Sequence, residues 1–276
     1  MKEIFIKVNK DKDLTYPCAG YVLGIDKFSY LFGKTYNISE IKKIKEKLKD
    51  KKIFVSFNRI IFNDEIEEYK KALKEVDDLG LSGIIIGDIA ALTYNLKTDL
   101  ILDQMHLNNS YYTINHYYNN GCKGIILTND ITLDEINEIR NNTKSILFKE
   151  VFGYPHLSTS NRHLVSNYFK HFKLNKTNSK YYMINEGKNN LYYHVVEDDF
   201  GCHILGANPI NLLKYTPSLN VDYFIIDGYL IDDIKPVLDA FLTKDVSKSD
   251  EIDKLYDSNA GFINKKTIYK VKKDEK

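Results

Sequence analysis

The chain has 276 residues, enough for one large domain or a main domain with a small appendage. Its 39 Lys and Arg nearly cancel 38 Asp and Glu, which excludes attachment to nucleic acid by bulk charge alone while leaving room for a local basic patch. With 14 Gly, 5 Pro, 3 Cys and 43% hydrophobic residues it is not collagen-like, disordered or a disulfide scaffold, and it can bury a sizeable core.

Short apolar runs alternate with amphipathic segments. Ile4-Phe5-Ile6 and Tyr21-Val22-Leu23 open the series. A helix with Ile41, Ile44 and Leu48 on one stripe follows, capped by Ser39. Residues 53–57 (IFVSF) read as a strand. From Asn63, a helix carries Ile66, Tyr69, Leu73 and Val76 on one face and ends at Gly80. Strands are then expected at 83–88, 100–102, 124–127 and 146–152. Helices are expected after Asp88, around 111–118 and over 133–140, the last capped by Thr132. Past Phe172 the rhythm changes to three short antiparallel strands, 181–184, 191–196 and 201–205, with a hairpin turn at Asn189-Asn190. A parallel strand (224–226) and a helix (231–242) return. The polar stretch 244–253 reads as a loop, and the basic tail from Lys265 as a solvated end or a nucleic-acid contact.

Serial β–α units with fully apolar strands predict an α/β fold: a TIM-like (β/α) barrel, complete or incomplete, with a small antiparallel β insertion towards the C-terminus. The expected organisation is a main barrel part over 1–173, an antiparallel segment over 174–210, and a final β/α unit with the tail over 211–276, on the same domain. A doubly wound sheet is the alternative, but neither GxGxxG nor GxxxxGK[ST] occurs. The apolar runs are too short to span a bilayer, and MKEIFIKVNK is not a secretion signal, so no membrane contact and a cytoplasmic location are expected. Cys18, Cys122 and Cys202 form no CxxC, and three thiols cannot make a four-thiolate site.

A barrel works at the carboxyl ends of its strands. The polar residues there are Asn58 and Arg59, Asp88, Asp103, Gln104, His106 and Asn109, Thr128, Asn129 and Asp130, Glu150, and then Tyr154, His156, Arg162 and His163. Asp88 doubles as a helix cap, His106 as a structural histidine, and Asp130 as a turn residue. Glu150 lies inside an apolar strand, where a carboxylate needs a partner; Arg59 or Arg162 can supply one, as a structural pair or as a substrate grip. His156 and His163 lack a compact third ligand, so no metal site is expected. Ser158 to Ser160 beside His163 lack the GxSxG context of a hydrolase nucleophile.

Residues 150–168, EVFGYPHLSTSNRHLVSNY, resemble the signature of the collagenase-like peptidase family of unassigned catalytic type, number thirty-two, through Glu150, Phe152, Arg162, Ser166, Asn167 and Tyr168. FVSFNR (54–59), LGLSGIIIGD (79–88), DQMHLNNS (103–110), ITLDEINEI (131–139), VVEDDFGCHI (195–204) and GFINKKTIYKVK (261–272) are also similar, so the likeness runs through nearly the whole chain. The resemblance implies a barrel and a peptidase label without an accepted catalytic dyad. It also points to relatives that hydroxylate tRNA, ribosomal RNA or quinone without oxygen. Those relatives hold a four-cysteine iron–sulfur cluster, and the tRNA branch uses prephenate. Here the signature cysteines fall near His156 and His163, so no cluster is expected on this chain alone.

The expected role is therefore a cluster-free component of tRNA wobble-uridine 5-hydroxylation. Its expected partners are tRNA and a longer, cysteine-bearing relative, and prephenate is a possible substrate. Glu150, Arg162 and His163 are the candidate catalytic residues; Asn58, Arg59, Asp88, Gln104, His106, Asn109, Tyr154 and His156 are the candidate substrate contacts. A peptide hydrolase and a non-catalytic scaffold are the alternatives.

Overall fold

The computed structural model describes residues 2–104, 108–175 and 177–265. In chain order the elements are β1 (Glu3–Lys7), β2 (Gly20–Ile25), β3 (Thr35–Tyr36), α1 (Ile38–Lys47), β4 (Lys52–Phe57), α2 (Ile66–Asp77) and β5 (Gly83–Ile86). Then come β6 (Leu100–Leu102), α3 (Tyr111–Asn119), β7 (Cys122–Leu127), α4 (Leu133–Asn142) and β8 (Ile146–Gly153). Next are β9 (His156–Ser160), α5 (Leu164–His171), β10 (Tyr181–Asn185), β11 (Tyr192–Asp198) and β12 (Gly201–Leu205). Last come β13 (Ile210–Asn211), β14 (Tyr223–Asp227), α6 (Lys235–Thr243) and α7 (Ser249–Tyr256).

Eight parallel strands form a ring in the order β1, β2, β4, β5, β6, β7, β8, β14. Pairing of Phe5, Ile6 and Lys7 with Gly20, Tyr21 and Val22 closes it, so the barrel is complete and the doubly wound alternative falls. Alternation along each strand makes two cores. Phe5, Val22, Phe54, Ile85, Ile101, Phe148 and Ile225 fill the barrel interior, where the rings of Phe5 and Phe54 meet edge to face at 5.2 Å. Their sequence neighbours, such as Ile6, Leu23, Val55, Ile84 and Leu147, face outward against helices that offer Ile41, Leu73, Ile114, Ile136 and Leu238. Burying a large apolar side chain of this kind contributes roughly 1.5–3 kcal/mol.

The long excursion from β8 to β14 carries the appendage, a four-stranded antiparallel sheet in the order β10-β11-β12-β9, with α5 beside it. Its fourth strand begins at His156, inside the stretch expected to belong to the barrel, because the run HLSTS pairs with β12 through Cys202–Ser160 and Ile204–Ser158. Two further local expectations are corrected. Asn37, not Ser39, caps α1: its side chain accepts from Glu40 N while the Glu40 carboxylate accepts from Asn37 N. The 244–253 segment is not loop throughout, since α7 starts at Ser249 and buries Ile252. The basic tail beyond Lys265, and His106, lie outside the described residues. Among the described residues, no helix is long and apolar enough to cross a membrane.

Candidate functional site

The interior strand positions above the aromatic plug are polar. Lys7 ends β1, Ser56 lies near the end of β4, Asp103 follows β6, Thr128 follows β7, Glu150 lies in β8 and Asp227 ends β14. All six line a cavity of about 420 Å³ at the carboxyl ends of the strands. Tyr30, Asn58, Asn129, Asp130, Tyr154, His156 and Tyr229 continue its wall, and Lys265 reaches the rim.

The local fold explains why Glu150 points in. Phe148 faces the barrel interior, so Glu150, two residues on, does too. A bulge opposite β14 then inserts Val151, letting both Val151 and Phe152 join the outer core. Gly153 follows with φ of +143°, and any Cβ there would stand 2.9 Å from Glu150 Oε1 and 2.8 Å from the Asp227 carbonyl oxygen. Only glycine fits that close approach.

Glu150 Oε1 is shielded from solvent and has no hydrogen-bond partner. Burial drives its carboxyl far above the usual carboxylate range. The neighbouring Asp227 adds to this, and Lys7 and Lys149 oppose it. Asp227 is fully engaged. It pairs with Lys7 Nζ at 2.7 Å, and its Oδ1 accepts from Asn9 Nδ2 at 2.9 Å and from Tyr229 N at 2.8 Å. The Lys7 ammonium also lies 4.6 Å from the centre of the Phe32 ring. Lys149 is buried behind the wall; burial lowers its pKa, and it donates to Thr128 O at 3.0 Å and to Asn129 Oδ1. The mouth thus sets one protonatable, uncommitted carboxyl beside a neutralised Lys–Asp pair.

A second cavity of about 360 Å³ adjoins the first across Tyr30 and Leu157. His203 is fully buried there, stacked on Tyr30 with ring centres 4.7 Å apart. Its ring nitrogens meet Asp198 Oδ1 at 3.2 Å and Thr159 Oγ1 at 2.9 Å, and Thr159 Oγ1 also meets His156 Nε2 at 2.8 Å. Burial works to raise the Asp198 pKa, but the hydrogen bond and charge of His203 hold it below its ordinary value.

The sequence-derived candidates separate into groups. Glu150, Asn58, Asp103, Thr128, Asn129, Asp130, Tyr154 and His156 line the main cavity. Asn58 is committed structurally, accepting from Tyr30 N and donating to Tyr30 O. Arg59 sits in the second cavity and partners Glu65 at 2.9 Å, not Glu150, with its guanidinium carbon 4.0 Å from the centre of the Phe200 ring. Asp88 spends its oxygens on Ile61 N and Ala90 N as a cap. Gln104 accepts from Tyr117 Oη at 3.1 Å, and Asn109 is exposed. Arg162 and His163 are exposed beside β9 and α5, away from the cavity wall. The matched signature residue Ser166 serves architecture: Glu197 on β11 accepts from Val165 N at 2.8 Å, from Ser166 N and from Ser166 Oγ, tying α5 to the small sheet. Sequence reading missed Lys7, Asp227, Lys149 and the Asp198–His203–Thr159 chain.

A closed parallel barrel with a polar cavity at the carboxyl ends of its strands defines the class: a (β/α) barrel protein with an inserted antiparallel sheet. Residues 20–238 match the family described as Peptidase family U32, and the chain belongs to that family. It is 27% identical over 192 residues to tRNA hydroxylation protein P2 of Bacillus subtilis, covering 65% of this chain and 62% of that protein. It is 25% identical over 197 residues to an uncharacterized protease of Methanocaldococcus jannaschii, covering 65% of this chain and 47% of that protein. The chain therefore spans less than two thirds of either relative. Among solved structures, a U32 peptidase is 12% identical with a TM-score of 0.48, covering 56% of this chain and 70% of its own. The 3-hexulose-6-phosphate synthase of Salmonella typhimurium is 11% identical with a TM-score of 0.48, covering 89% and 98%. Neither likeness bears on function.

Proposed function

We propose that this protein is a component of tRNA wobble-uridine 5-hydroxylation in the cytoplasm, without an iron–sulfur cluster of its own, working with a longer cysteine-bearing relative. The observation that carries the reading is the 27% identity to tRNA hydroxylation protein P2 over 192 residues. The donor set supports the cluster-free part, because the cysteines do not fit a four-thiolate cluster. There are three, all buried, on separate elements: Cys18 before β2, Cys122 on β7 and Cys202 on β12. The Cys18 and Cys122 thiols face backbone carbonyls of Gly20 and Leu100.

In this reading the mouth binds a small carboxylate, with prephenate as the specific expectation. A neutral Glu150 carboxyl donates to the ligand, while Lys265 at the rim offsets its charge. Deleting the gene is expected to remove most 5-hydroxyuridine-derived nucleosides from tRNA digests analysed by mass spectrometry. Unchanged levels would overturn the reading.

A peptide-hydrolase reading has one observation in its favour, the Asp198–His203–Thr159 chain, which resembles the carboxylate–imidazole–hydroxyl order that activates a nucleophile. It expects gelatin cleavage by the purified protein that falls at least ~100-fold in Thr159→Val. Absence of cleavage by the parent protein would end it.

A further inference from the structure

Charge is distributed unevenly along the chain. Residues 156–196 hold six Lys and Arg against one acid, Glu186, a net +5; the other 235 residues hold 33 basic and 37 acidic, a net −4. The excess falls on the part of the appendage that precedes Glu197, Asp198 and Asp199; over all of 156–205 the net charge is +2. Arg162, Lys170, Lys173, Lys180 and Lys188 are exposed, and none forms an ion pair with a described residue.

The same face exposes aromatic rings. Tyr168 on α5 and Phe172 just past its end are 54% and 57% exposed, with ring centres 4.7 Å apart; Tyr181 on β10 and Tyr192 on β11 are similarly open. β10 is an edge strand: Tyr182 packs against Phe169 of α5 with ring centres 6.1 Å apart, while Tyr181, Met183 and Ile184 are exposed. The face is continuous with the barrel mouth: Tyr193 and Leu191 line the main cavity, and the side chain of Tyr181 lies near that of the cavity residue Tyr229.

Protein-binding patches are depleted in lysine. Here lysines alternate with flat, solvent-facing rings, the arrangement that tracks a phosphate backbone while unpaired bases stack. We infer that α5 and β10 form a platform for an unpaired RNA loop, its bases stacking on Tyr168, Phe172 and Tyr181 and its phosphates meeting Lys170, Lys173 and Lys180. A base displaced from that loop is then delivered to the cavity rim beside Tyr229. The inference deepens the tRNA reading and rests on it for the kind of RNA.

The test is fluorescence anisotropy of the full chain with a labelled RNA hairpin carrying an unpaired uridine-containing loop, against the same strand annealed to its complement. The parent should prefer the loop. Tyr168→Ala with Phe172→Ala should weaken loop binding roughly 10-fold or more. Lys170→Gln with Lys173→Gln should lower the slope of log affinity against log salt by about 1.4. Unchanged thermal melting of both variants establishes that folding is intact. Equal affinity for loop and duplex, unchanged binding in the aromatic variant, or a parent that ignores RNA and sediments as a dimer would each overturn the platform.

Returning the variants to a deletion strain separates the two ideas. If deletion removes the modified uridine but the aromatic variant restores it fully, the platform falls and the role stands. Loop binding through this face in a protein whose deletion leaves tRNA unchanged keeps the platform and removes the role.

Discussion

Glu150 is held neutral by its surroundings, and that has a pH consequence. In the unfolded chain its carboxyl titrates near the ordinary value of about 4.3. In the folded chain burial raises it, so the native state binds the extra proton between the two values. The stability from that proton is complete below the unfolded value and is lost as pH rises through the folded one. Glu150→Gln keeps the neutral shape. It is expected to match the parent's melting temperature in buffer at or below the unfolded value and to exceed it by a few degrees, roughly 2–4 °C per kcal/mol, in alkaline buffer. Equal melting curves at both pH values would show that the carboxyl titrates normally. The position was legible because a carboxylate inside an apolar strand is conspicuous. Lys7 and Asp227 satisfy the same rule, each directly closing an apolar run, and an even application of it to the first and last strands would have found them. Arg59 misled because its true partner, Glu65, lies only six residues along the chain, an ion pair that short-range sequence inspection does not distinguish from a grip on substrate.

At the scale of elements, the weakest joint is α5, an eight-residue helix with no buried residue of its own. Helices this short do not persist in water without outside support. The Glu197 carboxylate supplies that support by satisfying the free N–H groups of the first turn. Glu197→Ala should cost about 1–3 kcal/mol locally. The expected readout is faster amide hydrogen exchange across 164–172 with the barrel strands still protected; uniform loss of protection would instead mean that the appendage and barrel unfold together. Barrel strands were readable from composition, since strands buried on both faces are apolar throughout. The strand His156–Ser160 was not, because a short, half-solvated strand of histidine, serine and threonine has the composition of a turn. The helix at Ser249–Tyr256 was hidden for a related reason: it buries little apolar surface, chiefly Ile252, so its periodicity is faint.

For the whole molecule, the repeated β–α rhythm identified the architecture, and closure of the ring explains why Asn58, Asp103, Thr128, Asn129, Asp130 and Glu150 share one mouth. What the rhythm does not encode is the angular placement of each strand end, which decides that Glu150 faces Asp227 and that Arg59 faces the neighbouring cavity. The ring also joins the two most distant parts of the sheet: β1 pairs along its full length with β14, and Lys7 reaches Asp227 across 220 residues. While the protein is being synthesised, the first strand therefore waits with an open edge until Tyr223–Asp227 has left the ribosome. Such a nascent chain gains its last hydrogen-bonded seam, and the charge pair beneath its cavity, in the same late event.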